Sequence, residues 1–421
     1  MEQSFTNDFA YAMLAFCFYY PLLMSYVWMG GALFFYFRFE RKDPAVDNPA
    51  PLSSYPKIAF MVPCYNEGDN VREVMANLME STYPHFEIIA VNDGSRDNTG
   101  VILDELLSEY PLLRVVHQAS NHGKAMALNA AAMMTDAEIL FCIDGDAVLH
   151  SDSARWMVRH FLNNPRVGAV TGNPRIRTRS TILGRIQVGE FSSIIGLIKR
   201  AQRTYGRVFS VSGVVVAFRR RALHDVGYWA NDMLTEDIDI TWRLQLRHWD
   251  VRFEPAALCW ILMPETVNGL WKQRLRWAMG GAQALIKYRG IWTNWKSRRM
   301  CPIYTEYLIS LIWGYAMAAS LIVWLLSFLV EMPQDLPLAS LQPGVSGLVL
   351  AATGFLQVAL GMFLDSKYEK TSLRNVTVLV WYPVAYWLLG WLTAIWAFPK
   401  TLMRKQGALA TWVSPDRGVR T

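Results

Sequence analysis

A chain of 421 residues that is 52% hydrophobic, with a mean hydropathy of +0.15, is too apolar for an ordinary soluble enzyme. The formal charge of +6 and pI near 9.0 do not call for a nucleic-acid partner, because basic residues bordering membrane spans and facing anionic lipid account for the surplus. Five cysteines (Cys17, Cys64, Cys142, Cys259 and Cys301) lie far apart without CxxC spacing or partner histidines, which excludes a disulfide framework or a zinc site as the organising feature.

Four stretches carry no Asp, Glu, Lys or Arg: Phe9–Phe37, Tyr307–Val330, Leu336–Leu364 and Asn375–Pro399. Each exceeds the roughly 20 residues that a helix needs to cross about 30 Å of hydrocarbon. The first lacks a basic n-region and a small-residue cleavage site, so it reads as a retained anchor and not as a signal peptide. Arg38, Arg41 and Lys42 on one side, and Lys287, Arg289, Lys296, Arg298 and Arg299 on the other, place the segment between the first two spans in the cytosol by the positive-inside rule. Three further spans would leave Lys400, Arg404, Lys405 and Arg417 outside, against the same rule. Either the Pro383-containing stretch is re-entrant or one segment lies at the interface, and the span count stays open.

The segment between the spans alternates strands and helices. "KIAFMVP" reads as a buried strand, "NVREVMANLMES" as an amphipathic helix and "FEIIAVND" as a second strand; "NTGVILDELLSEY", "LLRVVHQ", "GKAMALNAAAMM" and "EILFCID" repeat the cycle. This is the pattern of βαβ units building a mostly parallel sheet, in which ligands bind at the carboxyl ends of the strands. Three strands end in polar clusters, "PCYNE", "NDGS" and "DGDA", which such a sheet would bring to one rim.

Asp144 and Asp146 at the mouth of a buried strand repel each other unless a cation lies beside them, and Mg²⁺ or Mn²⁺ with its preference for oxygen ligands is the natural candidate. Taken alone, the same residues also suit a plain strand-end turn. No Walker loop and no G-x-G-x-x-G follows the first strand, which disfavours an NTPase or a dinucleotide enzyme. Asp93 offers acceptors to a base or ribose. Lys124 offers a cation at a helix start, or is simply solvated there. In "TEDIDI", Asp237 suits a general base, while a capping box led by Thr235 explains the same residues. "WKQRLRWAMGGAQALIKYR" reads as an amphipathic interface helix, on which Gln273, Arg276 and Trp277 are helical neighbours able to meet phosphate and sugar.

In this order, "PCYNE", "VNDGS", "DGD", "TED" and "QRLRW" resemble the processive family 2 glycosyltransferases, which include cellulose, chitin, hyaluronan and poly-N-acetylglucosamine synthases. "VTGNPRIRTRSTILGRIQVGEFSSIIGLIKR", "VSGVVVAFRRRAL", "EPAALCWILMPET" and "WVSPDRG" are similar to the poly-β-1,6-N-acetyl-D-glucosamine synthases of bacterial biofilm matrix.

The resemblance implies an α/β, GT-A-type cytosolic domain between transmembrane helices in a bacterial inner membrane. Residues 1–42 would form an anchor, 43–265 the catalytic domain, 266–302 interface helices, 303–399 a membrane region and 400–421 a basic tail. It implies UDP-N-acetylglucosamine as donor and Mg²⁺ or Mn²⁺ as cofactor. Asp93 would contact the uridine, Asp144 and Asp146 the diphosphate, Asp146 the metal directly, and Lys124 the donor. Asp237 would act as base, with Gln273, Arg276 and Trp277 bordering the acceptor and diphosphate. Export of the polymer, with Glu306, Trp313, Trp381, Trp387 and Trp391 beside a path, and a small membrane subunit under cyclic di-GMP control belong to the same expectation. A related synthase using another sugar, or a non-catalytic export subunit, remain the alternatives.

Overall fold

The structure, a computed structural model, describes residues 2–329, 344–369, 382–405 and 407–410. The first charge-free stretch forms helix α1 (Glu2–Phe35), continued by a π-helical turn, Tyr36–Glu40. Then come β1 (Ile58–Cys64), α2 (Val71–Met79), β2 (Phe86–Asp93), α3 (Thr99–Glu109), β3 (Leu113–Gln118), α4 (Lys124–Met133) and β4 (Ile139–Ile143). Every residue of β1 and β4 is buried, the mark of central strands covered on both faces, and α2 buries Val71, Val74, Met75 and Leu78 against them.

The second half runs β5 (Val148–Leu149), α5 (Ser153–Asn163), β6 (Val167–Ile176), α6 (Ile182–Phe191), a π-helical segment Ser192–Ile198, α7 (Lys199–Tyr205), β7 (Val215–Arg219), α8 (Arg220–Val226), α9 (Glu236–Leu246) and β8 (Asp250–Ile261). The strands form one sheet in the order β3-β2-β1-β4-β7-β6-β8-β5. β1, β2, β3 and β4 are parallel, as are β6 and β8, while β7 runs antiparallel between β4 and β6 and β5 runs antiparallel to β8. The expected βαβ half is therefore present, and the polar clusters that end β1, β2 and β4 share one rim. Antiparallel β7 was not foreseen, because an apolar run does not encode its direction.

Helix α10 (Val267–Lys287) follows, then α11 (Cys301–Leu326), α12 (Val345–Asp365) and α13 (Tyr382–Met403). Among the described residues, three helical segments are long and apolar enough to cross a membrane: Asp8–Glu40, Trp295–Leu326 and Val345–Asp365. α13 runs parallel to α10: Thr401 Oγ1 donates to Met279 O at 3.5 Å, and Leu389 joins the cluster of Leu270 and Ile186. Trp313 Nε1 donates to Cys17 O and Trp391 Nε1 to Gly314 O, so both indoles bind neighbouring helices together. Trp381 and the side chain of Trp387 lie outside the described residues.

Buried charges join helices to sheet. Arg200 on α7 is fully buried and grips Glu40 with Nε and Nη2 at 2.6 and 2.7 Å. Its Nη1 meets Asp365 Oδ1 at 3.0 Å, and Asp365 Oδ2 accepts from Arg175 Nη1 of β6 at 2.7 Å. The ends of α1 and α12 thus close on the same face of the sheet domain.

Candidate active site

Asp144 follows the last residue of β4, and Lys124 opens α4. Lys124 Nζ lies 2.5 Å from Asp144 Oδ1 and 3.4 Å from Glu236 Oε1, and donates to Gly213 O at 3.0 Å. Lys124 is thereby a bridge between the "DGD" turn, the "TED" turn and the loop before β7. The carboxylates around it hold its ammonium well above the ordinary lysine value against the cost of burial. For Asp144 burial is the larger effect and raises its carboxyl; Lys124 lowers it, and Asp146 raises it again. Gly145 between the two acids is required by packing: a Cβ there would stand 2.9 Å from Glu67 Cγ and 3.2 Å from Pro63 O, so the "PCYNE" turn closes directly on "DGD".

Asp93 does not line this cluster. It is fully buried, and its two oxygens accept from the backbone N–H groups of His122 and Gly123, both at 2.8 Å. Those residues immediately precede Lys124, so the carboxylate fixes the loop that presents the lysine.

Asp237 lies in the first turn of α9. A Cβ on Gly213 would be 3.3 Å from Lys124 Nζ and 3.6 Å from Asp237 Oδ2, which puts base candidate and lysine on either side of one glycine. Burial first, and then the charge of Glu236, push Asp237 up to about 6; Lys124, the Ile238 N–H and Arg276 act the other way. Thr235 occupies the N-cap position of α9, but its hydroxyl makes no capping hydrogen bond, so the capping-box alternative is not realised. The third acid of the run, Asp239, is structural: it accepts from Arg243, Lys287 and Tyr288 and so ties α9 to α10.

On α10 the two arginines of "QRLRW" separate. Arg274 is buried, bonds Glu190 at 2.6 Å and lies 4.3 Å from the centroid of Trp277, whereas Arg276 is exposed and acts electrostatically on Asp237. Gln273 Nε2 donates to Met263 Sδ at 3.8 Å, and its Oε1 has no partner among the described residues. Asp144, Glu236 and Asp237 are therefore gathered around Lys124, and Arg276 acts on Asp237 from α10, the helix that also carries Gln273 and Trp277. Sequence reasoning passed over Glu236, Arg274 and Lys199. Burial pushes Lys199 down to about 8, opposed by Asp237.

No group of three or more His, Cys, Asp or Glu side chains placed to hold a metal occurs among the described residues. Mg²⁺ and Mn²⁺ commonly take only one or two protein carboxylates and complete their shell with substrate phosphates and water, so the pair Asp144 and Asp146 fits a cation that binds together with a diphosphate.

The sequence profile described as "Glycosyltransferase like family 2" matches residues 56–280, which contain all of these residues. A poly-beta-1,6-N-acetyl-D-glucosamine synthase of Staphylococcus epidermidis is 39% identical over 411 residues, covering 96% of this chain and 98% of the relative; its namesake in Staphylococcus aureus (strain MSSA476) is 38% identical with the same coverage. The chain belongs to glycosyltransferase family 2. Among solved structures, the mannosyltransferase PcManGT from Pyrobaculum calidifontis, in complex with GDP-Man and Mn²⁺, superposes on this glycosyltransferase with a TM-score of 0.60. That match covers 93% of this chain and 99% of the other at 21% identity, and it identifies the fold as GT-A-like.

Proposed function

We propose that this glycosyltransferase polymerises N-acetylglucosamine from UDP-N-acetylglucosamine into a β-1,6-linked chain, with inversion at the anomeric carbon. What carries the reading is that relatives named for this polymer match 96% of the chain, apolar helices included.

Asp237, as the carboxylate, takes the proton of the acceptor 6-hydroxyl. The oxygen attacks C1 of the α-linked donor, the C1–phosphate bond breaks, and UDP leaves with the electron pair. No covalent intermediate on the protein is required. Asp146 would hold a divalent cation, with Asp144 beside it binding the diphosphate, and the cation would supply charge neutralisation to the leaving group. Lys124 and Arg276 add fixed positive charge on the same side, a preorganised electrostatic contribution. Asp93 supports the loop of Lys124 and contacts the uridine, while Gln273 and Trp277 border the acceptor.

Residues 1–42 serve as anchor, 43–265 as the catalytic domain, 266–302 as interface helices and 303–399 as the membrane region, with 400–421 as a basic tail that lies largely outside the described residues. The cations flanking α1 and α11 support a cytosolic site beneath a bacterial inner membrane. Passage of the polymer beside α11 and control through a small cyclic di-GMP-dependent subunit complete the proposal.

The test is a donor survey with membranes containing the chain, Mg²⁺ or Mn²⁺ and any partner subunit. UDP-N-acetylglucosamine is expected to yield a polymer that a β-1,6-hexosaminidase digests. A polymer formed from another UDP-sugar, or one resistant to that enzyme, would overturn the assignment of sugar and linkage.

A further inference from the structure

The end of α7 and the start of α11 lie along neighbouring turns of α1, because Tyr205 Oη donates to Val27 O and Tyr20 Oη to Glu306 O. Tyr20 and Val27 are about two helical turns, or about 10 Å, apart along the axis. Arg299 precedes Glu306 by the same number of residues, and α11 runs antiparallel to α1, since Trp313 Nε1 reaches Cys17 O. Arg299 and Arg207, which follows Tyr205 closely, therefore come to one depth, where the apolar helix α11 meets the catalytic domain.

Guanidinium groups crowd together there around one carboxylate. Asp250 holds Arg203 with both oxygens, at 3.0 and 3.2 Å, and Arg252 Nε at 2.9 Å. Arg166, Arg207 and Arg299 form no ion pair with a carboxylate among the described residues. Arg166 Nη2 reaches only His248 O, at 3.4 Å; Arg207 Nη1 donates to the adjacent carbonyl of Gly206, and Arg207 Nε is shielded from water without a partner. Burial first, and then the charge of Arg299, hold the Arg207 guanidinium below its ordinary value; Arg203 and Arg166 add to the effect and Asp250 opposes it. Like charges held this close disfavour one another unless an anion joins them.

The guanidinium fork matches phosphate oxygens, and a basic pocket beside a span at the membrane surface is where anionic lipid headgroups are met. The flank agrees with that depth: Trp292 and Trp295 are exposed, and Arg298 lies over the Trp295 ring at 4.4 Å, as in an interfacial aromatic belt. We propose that Arg207 and Arg299, backed by Arg166, form a site for the phosphate of an anionic phospholipid, held between the catalytic domain and the first turn of α11. The bound headgroup neutralises the cluster and fixes the α7 side of the domain to the membrane surface.

The experiment uses the full chain purified in detergent and follows the binding of added phosphatidylglycerol and phosphatidylcholine by native mass spectrometry. Wild type is expected to prefer phosphatidylglycerol. Arg207→Gln combined with Arg299→Gln should weaken that binding about 30-fold, from roughly fivefold for each cation at a membrane surface. Arg38→Gln combined with Arg41→Gln removes the same charge at the end of α1 and should leave the binding unchanged. Should the first double variant not fold, Arg299→Gln alone, at an exposed position, carries the test with a loss of roughly fivefold. Undiminished binding, or an equal loss in both double variants, would overturn the inference, the latter by showing diffuse surface charge only. Displacement of phosphatidylglycerol by excess inorganic phosphate would reveal a site for soluble anions and overturn the assignment to lipid.

Discussion

Two adjacent acids at one helix start have been given different work by their surroundings. Glu236 faces Lys124, while burial and the charge of Glu236 push Asp237 up to about 6. A base must be ionised to act, so the rate is expected to rise with pH through about 6 and to level above it. Glu236→Gln removes a charge that raises Asp237, so the acid limb should move to lower pH; a pH–rate profile of the variant that does not shift downward would contradict this account. Asp237 was legible in the sequence as a candidate, because it stands in a short local motif at the start of an element, whereas Glu236 was passed over. The division between Arg274 and Arg276 was not legible, since which of two arginines flanking one leucine is buried depends on Glu190, a residue 84 positions away.

At the scale of elements, α10 carries Gln273, Arg276 and Trp277 and is seated by close packing against the "TED" turn. A Cβ on Gly280 would stand 1.9 Å from Thr235 Oγ1 and 2.5 Å from Thr235 Cγ2, so any side chain there pushes helix and turn apart. Gly280→Val is expected to destabilise the protein by about 1–3 kcal/mol, the usual cost of overpacking, and to lower turnover more than donor binding. A thermal midpoint and turnover both equal to wild type would remove this contact from the account. β1 to β4 and the helices between them could be read from alternating apolar runs and turn residues, and β2 spans the very residues expected, Phe86–Asp93. The antiparallel insertion of β7 and the π-helical break at Ser192–Ile198 had no local signature, because both are set by neighbours remote in sequence.

Over the whole molecule, the sheet domain and the apolar helices are tied by buried charge. Arg200 reaches Glu40, 160 residues before it, and Asp365, 165 after it. No sequence pattern announces such a network. Arg200→Ala would leave Glu40 buried without its cation and Asp365 with Arg175 alone, and a loss of about 3–5 kcal/mol in stability is expected, read as a lower unfolding temperature in detergent. An unchanged midpoint would show that the clamp does not hold the helices to the domain. Because the ends of α1 and α12 close on this one guanidinium, the domain and the membrane helices are expected to move as a unit during polymer growth.

The central claim is that one carboxylate of this assembly performs the transfer. It is tested most directly by UDP release from UDP-N-acetylglucosamine in membranes carrying wild type or Asp237→Asn, with UDP binding measured in parallel. Loss of about 10²–10⁴-fold in turnover with UDP binding retained is the predicted result, the span expected for removal of a general base. Turnover that survives the substitution would place the base, and with it the chemistry, elsewhere in the protein.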